Sequence, residues 1–361
     1  MIYLNQAATT YPKPPAVVKA VAGALQEMPA GALRSTLADG QDPAPVLRTL
    51  MASLLHTPHA DRIFFSSGAT DSLNRLIGGL GPVRMAVLAD NHNSVLRPLF
   101  NGVGRLPDVL ISVDQVEHLE ADWLVVPHCS NVTGTVYDLD RLCRIAHARG
   151  ARVLVDAAQS VGCVPVDVDG WGVDALAFTG HKALYGPQGT GGYYVSPDVA
   201  LRPTVFGGTG TDSSVLRYDD DAWEYEPGTP NGPGLSGLLA GVRYVLELGV
   251  EPIQQQLQSG IARLIAGLER LPYVRVYSSV SGVQGPLVSF TVGKLQPADV
   301  GYILQNVYGI TVRTGMHCAP LAHRCQGTAP YGTVRVSLST FNTPHDIDAF
   351  LKALTEITTQ L

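Results

Sequence analysis

The chain has 361 residues, 45% hydrophobic and 16% charged, with a formal net charge of −6. That length exceeds one small core and gives a two-domain prior, and the composition is that of a loop-rich globular protein, not a disordered one. With no Lys/Arg run, and no apolar run near the roughly 18–20 residues of a membrane span, the chain argues against nucleic-acid binding, anionic-membrane binding and membrane insertion.

The start Met1-Ile2-Tyr3-Leu4-Asn5 lacks the basic and apolar regions of a signal peptide. The Cys residues are scattered and read as reduced thiols, so a cytoplasmic protein is expected. No internal repeat or low-complexity segment is present.

Residues 1–15 read as an arm, with a short strand and then Tyr11-Pro12-Lys13-Pro14-Pro15. Helices are predicted over 16–27, where Val17, Val18, Val21 and Leu25 fall near helical spacing, and over 46–55. The segment between them is rich in Gly and Pro and irregular. Then follow a strand (63–67), a helix ending at residue 80, a strand (85–89), a helix (96–101), a strand (123–127) and an amphipathic helix (138–149). Strands are predicted over 153–155, 175–178 and 192–195. This alternation predicts an α/β fold with a mostly parallel sheet covered on both faces. Residues 212–234 form a polar loop, and long helices follow over 235–249 and 252–271. The pattern then changes to strands near 274–277 and 288–292, a helix (298–308), a strand near 312, a long loop, a strand (333–338) and a closing helix (344–361). The expected division is an arm (1–15), a large domain (16–244) and a smaller α+β domain (245–361).

Lys182 sits just after Gly180 and is followed by Gly186, Gly189, Gly191 and Gly192. Glycine lets a backbone pass close to a ligand. A lysine desolvated in such a turn has a lowered pKa and a nucleophilic amine. One strand upstream, Asp156 ends a predicted buried strand. An acid at a strand end and a Gly-flanked lysine suit pyridoxal 5′-phosphate, the lysine attaching it and the acid facing its ring nitrogen. A surface lysine in a loop is the competing view, and the combination outweighs it.

Other stretches carry weaker signals. Gly68-Ala69-Thr70 joins a strand to a helix, where free N–H groups, the helix dipole and the Thr70 hydroxyl attract a phosphate, or simply cap a helix. His92 follows a strand and can stack on a flat ring, although loop histidines are usually just solvated. Asn131 is either a polar contact or a turn former. Cys318, beside His317 in a long loop, reads as a reactive thiol or an inert buried one. His317, Cys318, His323 and Cys325 also suggest a metal site, but their spacing fits no standard zinc pattern. Cys129, Cys143 and Cys163 read as core residues. Arg335 interrupts an apolar strand, so it needs a substrate carboxylate or a structural ion pair.

Taken in order, these pieces resemble the class V aminotransferase-like cysteine desulfurases, including the selenocysteine lyase-type branch. The matching motifs are Ala7-Ala8-Thr9-Thr10, Ser67-Gly68-Ala69-Thr70, His92-Asn93-Ser94, Asn131-Val132-Thr133-Gly134-Thr135 and Asp156-Ala157-Ala158-Gln159-Ser160. They continue with Gly180-His181-Lys182, Tyr185-Gly186-Pro187, Gly228-Thr229-Pro230-Asn231, Arg313-Thr314-Gly315 with His317-Cys318-Ala319, and Arg335 with Ser337. The resemblance implies a fold-type I homodimer with sites at the subunit interface. It casts Lys182 as the cofactor lysine, Asp156 as the partner of the ring nitrogen, Gln159 as a contact to the phenolic oxygen and His92 as the stacking residue. It assigns Thr70, Thr179 and His181 to the phosphate, with Thr229 lent by the other subunit. Asn131 and Arg335 become contacts to the substrate carboxylate, and Cys318 the thiol that accepts sulfur.

Two segments depart from the family pattern. The arm reads Asn5-Gln6 where Asp-Asn is usual, and residues 29–36 lack the usual Gly-Arg-Gly and His. Both lie near the substrate in the family. The expected reaction is removal of sulfur from L-cysteine or a related thio-amino acid, giving alanine and a Cys318 persulfide, with the thiolate favoured by His317 or another nearby cation. The alternatives are a carbon–sulfur lyase giving pyruvate and ammonia, an aminotransferase or epimerase, and a non-catalytic sulfur-relay protein. A sulfur-acceptor protein is the expected macromolecular partner.

Overall fold

A computed structural model describes residues 1–27, 42–102, 106–208, 214, 216, 225–278 and 282–361. The chain begins with β1 (Ile2–Tyr3), α1 (Pro15–Gln26) and α2 (Pro43–Leu54). There follow β2 (Ile63–Ser66), α3 (Ala69–Gly79), β3 (Met85–Leu88), α4 (Asn93–Asn101), β4 (Asp108–Leu110) and β5 (Trp123–Pro127). Next come α5 (Leu139–Ala148), β6 (Arg152–Asp156), β7 (Ala175–Thr179), β8 (Gly191–Val195), α6 (Gly232–Leu248) and α7 (Val250–Leu268). The C-terminal part adds β9 (Val274–Val276), β10 (Leu287–Val292), α8 (Pro297–Tyr308), β11 (Ile310–Thr311), β12 (Arg313–Gly315), α9 (Pro320–Cys325), β13 (Thr333–Ser337) and α10 (Pro344–Thr358).

The large sheet runs β2-β8-β7-β6-β5-β3-β4. Its strands from β7 to β4 are parallel, and β8 is antiparallel to both neighbours. The strands β3, β5, β7 and β8 are buried along their whole length, as a sheet with covered faces requires. Helices start where side chains satisfy their first N–H groups: Asp138 accepts from Arg141, Asn231 from Gly234, and Thr343 and Asp346 form a capping box. The predicted mostly parallel α/β fold is therefore present. Because β3, β5, β6 and β7 run the same way, their C-terminal ends open onto one edge, where ligands bind in such sheets.

The second sheet is antiparallel, in the order β12-β13-β10-β9. The strand expected near residue 312 is split: Ile310 and Thr311 pair with the N-terminal arm, and Arg313 onward pairs with β13. The chain changes partner at Val312, so a single predicted strand serves two sheets. The long loop after it contains α9, too short to show a helical period. Strand β4 also escaped the sequence reading, because Asp108 and Val109 are exposed at the sheet edge and carry no apolar alternation. The expected division at residue 245 falls in the last turn of α6, before Gly249 starts α7. The apolar core runs across that point: Val242, Val245, Ile253 and Leu257 share one cluster with Val155 and Val288.

Leu238 on α6 is fully buried behind the turn that carries Lys182. A Cβ on Gly180 would lie 2.9 Å from its Cδ1 and 2.2 Å from Thr190 Oγ1, so this close approach requires glycine. Leu238→Ala should lower stability by about 2–5 kcal/mol. The check is the shift of the urea unfolding midpoint, and an unchanged midpoint would show that α6 does not support the turn.

Candidate active site

A cleft of about 400 Å³ opens at the C-terminal ends of the parallel strands. Strand β6 delivers Asp156 to it and the turn after β7 delivers Lys182. Burial pushes the Lys182 amine down to about 8, only partly opposed by Asp156 and reinforced by Arg335 and Arg313. Burial raises Asp156, against the Ala158 N–H that donates to Oδ1 at 3.0 Å and the nearby Lys182 charge. A buried carboxylate with so few partners needs a further cation or N–H group. Gln159 also lines the cleft, and its Nε2 donates to the Ala7 carbonyl of the arm at 3.2 Å.

The arm is fastened to the catalytic turn through one atom. The His181 carbonyl accepts from Thr10 N at 3.0 Å, Thr9 Oγ1 at 3.2 Å, Thr10 Oγ1 at 3.2 Å and Lys13 Nζ at 2.9 Å. Gln6 does not enter the cleft. Its amide donates to Tyr11 O at 2.8 Å and to Asn342 Oδ1 at 3.2 Å, and accepts from Tyr11 N at 2.9 Å. Asn5 Oδ1 is buried without a partner among the described residues. The unusual stretch 29–36 lies outside the described residues.

At one end of the cleft, α3 starts at Gly68 with no side-chain cap. Its first N–H groups are thus left for a ligand, beside Ala69 and Thr70, which line the same cavity. Gly68 has φ +144°, and a Cβ there would meet Thr179 Oγ1 at 3.6 Å. Thr179 therefore lies directly beneath the cradle. His181 borders the cleft, and burial, with Lys182 and Lys13 nearby, pushes it down to about 4. It is neutral at pH 7. His92 caps α4 through Nδ1, which accepts from Ser94 N at 3.0 Å. Burial and the Lys182, Arg313, Arg335 and Arg97 charges push it down to about 3. It lines the cleft as a neutral ring.

At the other end stand two arginines. Arg313 on β12 and Arg335 on β13 are paired residues in the antiparallel register. Like charges directly opposite each other are unfavourable unless an anion joins them. Arg335 is 1% exposed. Its Nη1 donates to Asn131 O at 2.7 Å, while Nε and Nη2 are buried without a partner among the described residues. Burial, then Arg313, lowers it to about 9, so it stays cationic at neutral pH. Two unpaired N–H donors on one guanidinium are the fork that grips a carboxylate. Asn131 Nδ2 donates to the His317 carbonyl at 2.6 Å.

Cys318 lines the same cavity and is half-buried. Arg313 Nη2 lies 3.6 Å from its Sγ. This corrects the expectation for His317, whose ring turns away to Thr333 Oγ1 at 2.9 Å. Burial and the Arg335 charge push His317 down to about 2, so the cation beside the sulfur is Arg313. Sequence reasoning placed Arg313 in a motif without giving it a role. The available signal was a second basic residue two positions before Gly315, in a strand that must pair with the one carrying Arg335.

His323 bonds Thr328 Oγ1 at 2.7 Å, and among the described residues no three His, Cys, Asp or Glu converge as a metal would need. Cys129, Cys143 and Cys163 are buried, as expected, and Cys129 also lines the cleft. Two expected site residues do not line the cleft: Thr179, buried behind Gly68, and Thr229, exposed just before α6.

The family model described as Aminotransferase class-V matches residues 2–99 and 107–350. A protein named probable cysteine desulfurase from Methanothermobacter thermautotrophicus is 33% identical, over 99% of this chain and 94% of its own length. A cysteine desulfurase from Klebsiella pneumoniae is 32% identical, over 99% of this chain and 93% of its own. Among solved structures, the apo cysteine desulfurase of Thermococcus onnurineus superposes with a TM-score of 0.88 at 29% identity, covering 100% of this chain and 95% of that one. A cysteine desulfurase from Escherichia coli, in its S-sulfonic acid form, gives 0.86 at 28% identity, covering 99% and 95%. The fold is the one these enzymes share, and the chain belongs to the aminotransferase class-V family.

Proposed function

We propose that the chain is a pyridoxal-phosphate-dependent cysteine desulfurase that takes sulfur from L-cysteine or a related thio-amino acid, leaving alanine and a persulfide on Cys318. The observation that carries this reading is a thiol, Cys318, in one cavity with Lys182 and with a guanidinium, Arg335, whose Nε and Nη2 have no partner among the described residues. The names of the relatives support it.

The residues present fit the cofactor. Lys182, with a lowered pKa, is the amine that attaches it. Asp156, a buried carboxylate short of partners, suits a protonated ring nitrogen. The uncapped start of α3, with Thr70, Thr179 and neutral His181, suits the phosphate; His92 offers a flat neutral face and Gln159 a side-chain amide. Thr229, stranded on its own surface, suits the cleft of a second copy, which makes a homodimer the proposed assembly. When bound, pyridoxal phosphate supplies an electron sink that stabilises negative charge at Cα.

The chain's own groups do the rest. Arg335 holds the substrate carboxylate with its two free N–H donors, and this aims the substrate side chain at Cys318. The neutral Lys182 amine takes the Cα proton. Arg313 stabilises negative charge on Cys318 Sγ, since the thiolate is the nucleophile. Sγ bonds to the substrate sulfur as the bond from that sulfur to Cβ breaks; Cβ keeps the electron pair and takes a proton, and the Lys182 ammonium returns a proton to Cα. The products are alanine and the Cys318 persulfide, with no external oxidant or reductant. Cys318 also lines an outer groove of about 520 Å³ between α3 and α4, a route by which a sulfur-acceptor protein reaches it. No helix among the described residues is long and apolar enough to cross a membrane.

Cys318→Ala should keep cofactor and substrate binding but lose alanine formation by at least about a thousand-fold, as when a nucleophile is deleted. A simple eliminating lyase needs no protein thiol. If the variant turned over near normally, forming pyruvate and ammonia, the lyase would replace the desulfurase.

The Lys182 amine offers a pH test. At pH 7 a group lowered to about 8 is neutral roughly 300-fold more often than one at 10.5. Capture of pyridoxal phosphate by the cofactor-free protein, followed by its yellow colour, should therefore speed up as pH climbs through about 8 and level off above. A midpoint near that of an ordinary lysine would reject the assignment.

A further inference from the structure

Cys318 sits on a tight turn closed by Ala319 N, which donates to Met316 O at 2.9 Å. Its φ is +60° and that of His317 is +47°, two consecutive L residues in the left-handed region. Residues other than glycine rarely adopt that conformation, and it persists only where the surroundings support it. Two hydrogen bonds from other segments support it here. Asn93 N, at the start of α4, donates to the Cys318 carbonyl at 2.7 Å. Asn131 Nδ2 donates to the His317 carbonyl at 2.6 Å.

Asn131 is itself firmly based. Ser130 Oγ accepts from Val132 N at 3.2 Å and Thr133 N at 3.1 Å, and Gly134 N donates to Ser130 O at 3.1 Å. Its own carbonyl accepts from Arg335 Nη1 at 2.7 Å. One residue thus touches both ends of the reaction: its main chain fixes the guanidinium that would hold the carboxylate, and its side chain fixes the turn that carries the sulfur nucleophile. Because the two contacts use different atoms, the side chain can be changed while the Arg335 contact remains.

Building on the desulfurase reading, we propose that the Asn131 side-chain N–H is a positioning group for the nucleophile: it pins the strained His317–Cys318 turn so that Sγ stays in the cleft beside Arg313. This role is separate from any contact with substrate carboxylate.

The test uses the cofactor-loaded enzyme and two variants. Asn131→Ala removes the side chain; Asn131→Asp keeps its shape but replaces the donor with an acceptor facing a carbonyl. Amide hydrogen exchange over residues 313–325 should be roughly ten-fold faster in both, as expected for loss of one hydrogen bond. The kcat for alanine formation should fall at least about ten-fold in both. Arg335→Lys, which leaves the Asn131 side-chain contact to the His317 carbonyl in place, should raise KM and leave exchange of that segment unchanged. Unchanged exchange in either Asn131 variant overturns the proposal, as does a rise in KM with kcat intact. The exchange measurement needs no turnover. If the wild-type enzyme never forms a Cys318 persulfide, the desulfurase reading falls on that observation, and with it the nucleophile that Asn131 would position.

Discussion

The cleft gathers three cations, Lys182, half-buried Arg313 and buried Arg335, around one buried carboxylate, Asp156. Removing a charge from water costs several kcal/mol per ion unless partners are supplied. The chain does not supply enough of them. Arg335 keeps two N–H groups unpaired, and it faces Arg313 across the strand pair. That deficit is the constraint on the whole site, and an amino acid carrying an anionic phosphate cofactor beneath it would remove most of it. Burial, reinforced by the same field, keeps His92, His181 and His317 neutral, so His92 serves as a helix cap and His317 as a hydrogen-bond partner, and not as charges.

The architecture around the cleft maintains this unfavourable arrangement. Parallel strands bring Asp156 and Thr179 to one edge, and Leu238 wedges the Lys182 turn from behind. The antiparallel sheet contributes the two arginines by register alone, since a slip of one residue would turn Arg335 to the opposite face. Cys318 stands on strained backbone, which marks places where geometry has been imposed by surrounding structure. Neither sheet is sufficient by itself: one brings the amine and carboxylate, the other the guanidinium groups and the thiol.

Much of this was legible in the sequence. The alternation of apolar runs with helical periods gave the large sheet, and the Gly-flanked Lys182 after a strand ending in Asp156 pointed to the cofactor chemistry. Boundaries shifted by a few residues where caps decided them, as at Asn93, which starts α4 three residues before the predicted helix. What remained hidden depended on pairing across the chain. Nothing local distinguishes Arg313 from a surface arginine; its place beside Cys318 follows from β12 lying against β13. His317 looked like the natural activator because it adjoins Cys318, yet adjacent residues point different ways, and its ring belongs to Thr333. Gln6 looked like a change in substrate contacts and instead braces the arm internally and against Asn342.

That arm has a consequence for how the molecule comes into being. Ile2 and Tyr3 pair with Ile310 and Thr311, and Asn5 bridges to Ser337. Ile2, Tyr3 and Asn5 therefore find their places only after residues 310–337 have been made. Only then can Thr9, Thr10 and Lys13 close on the His181 carbonyl. Domains generally fold as they emerge, N-terminal portion first. Here the parallel sheet can form during synthesis while its lysine turn stays unfastened, and a nascent or truncated chain lacking the C-terminal strands carries every residue of the phosphate cradle with no closed site. Synthesis of β11 and β13, not assembly of the large sheet, is the event that readies this cleft.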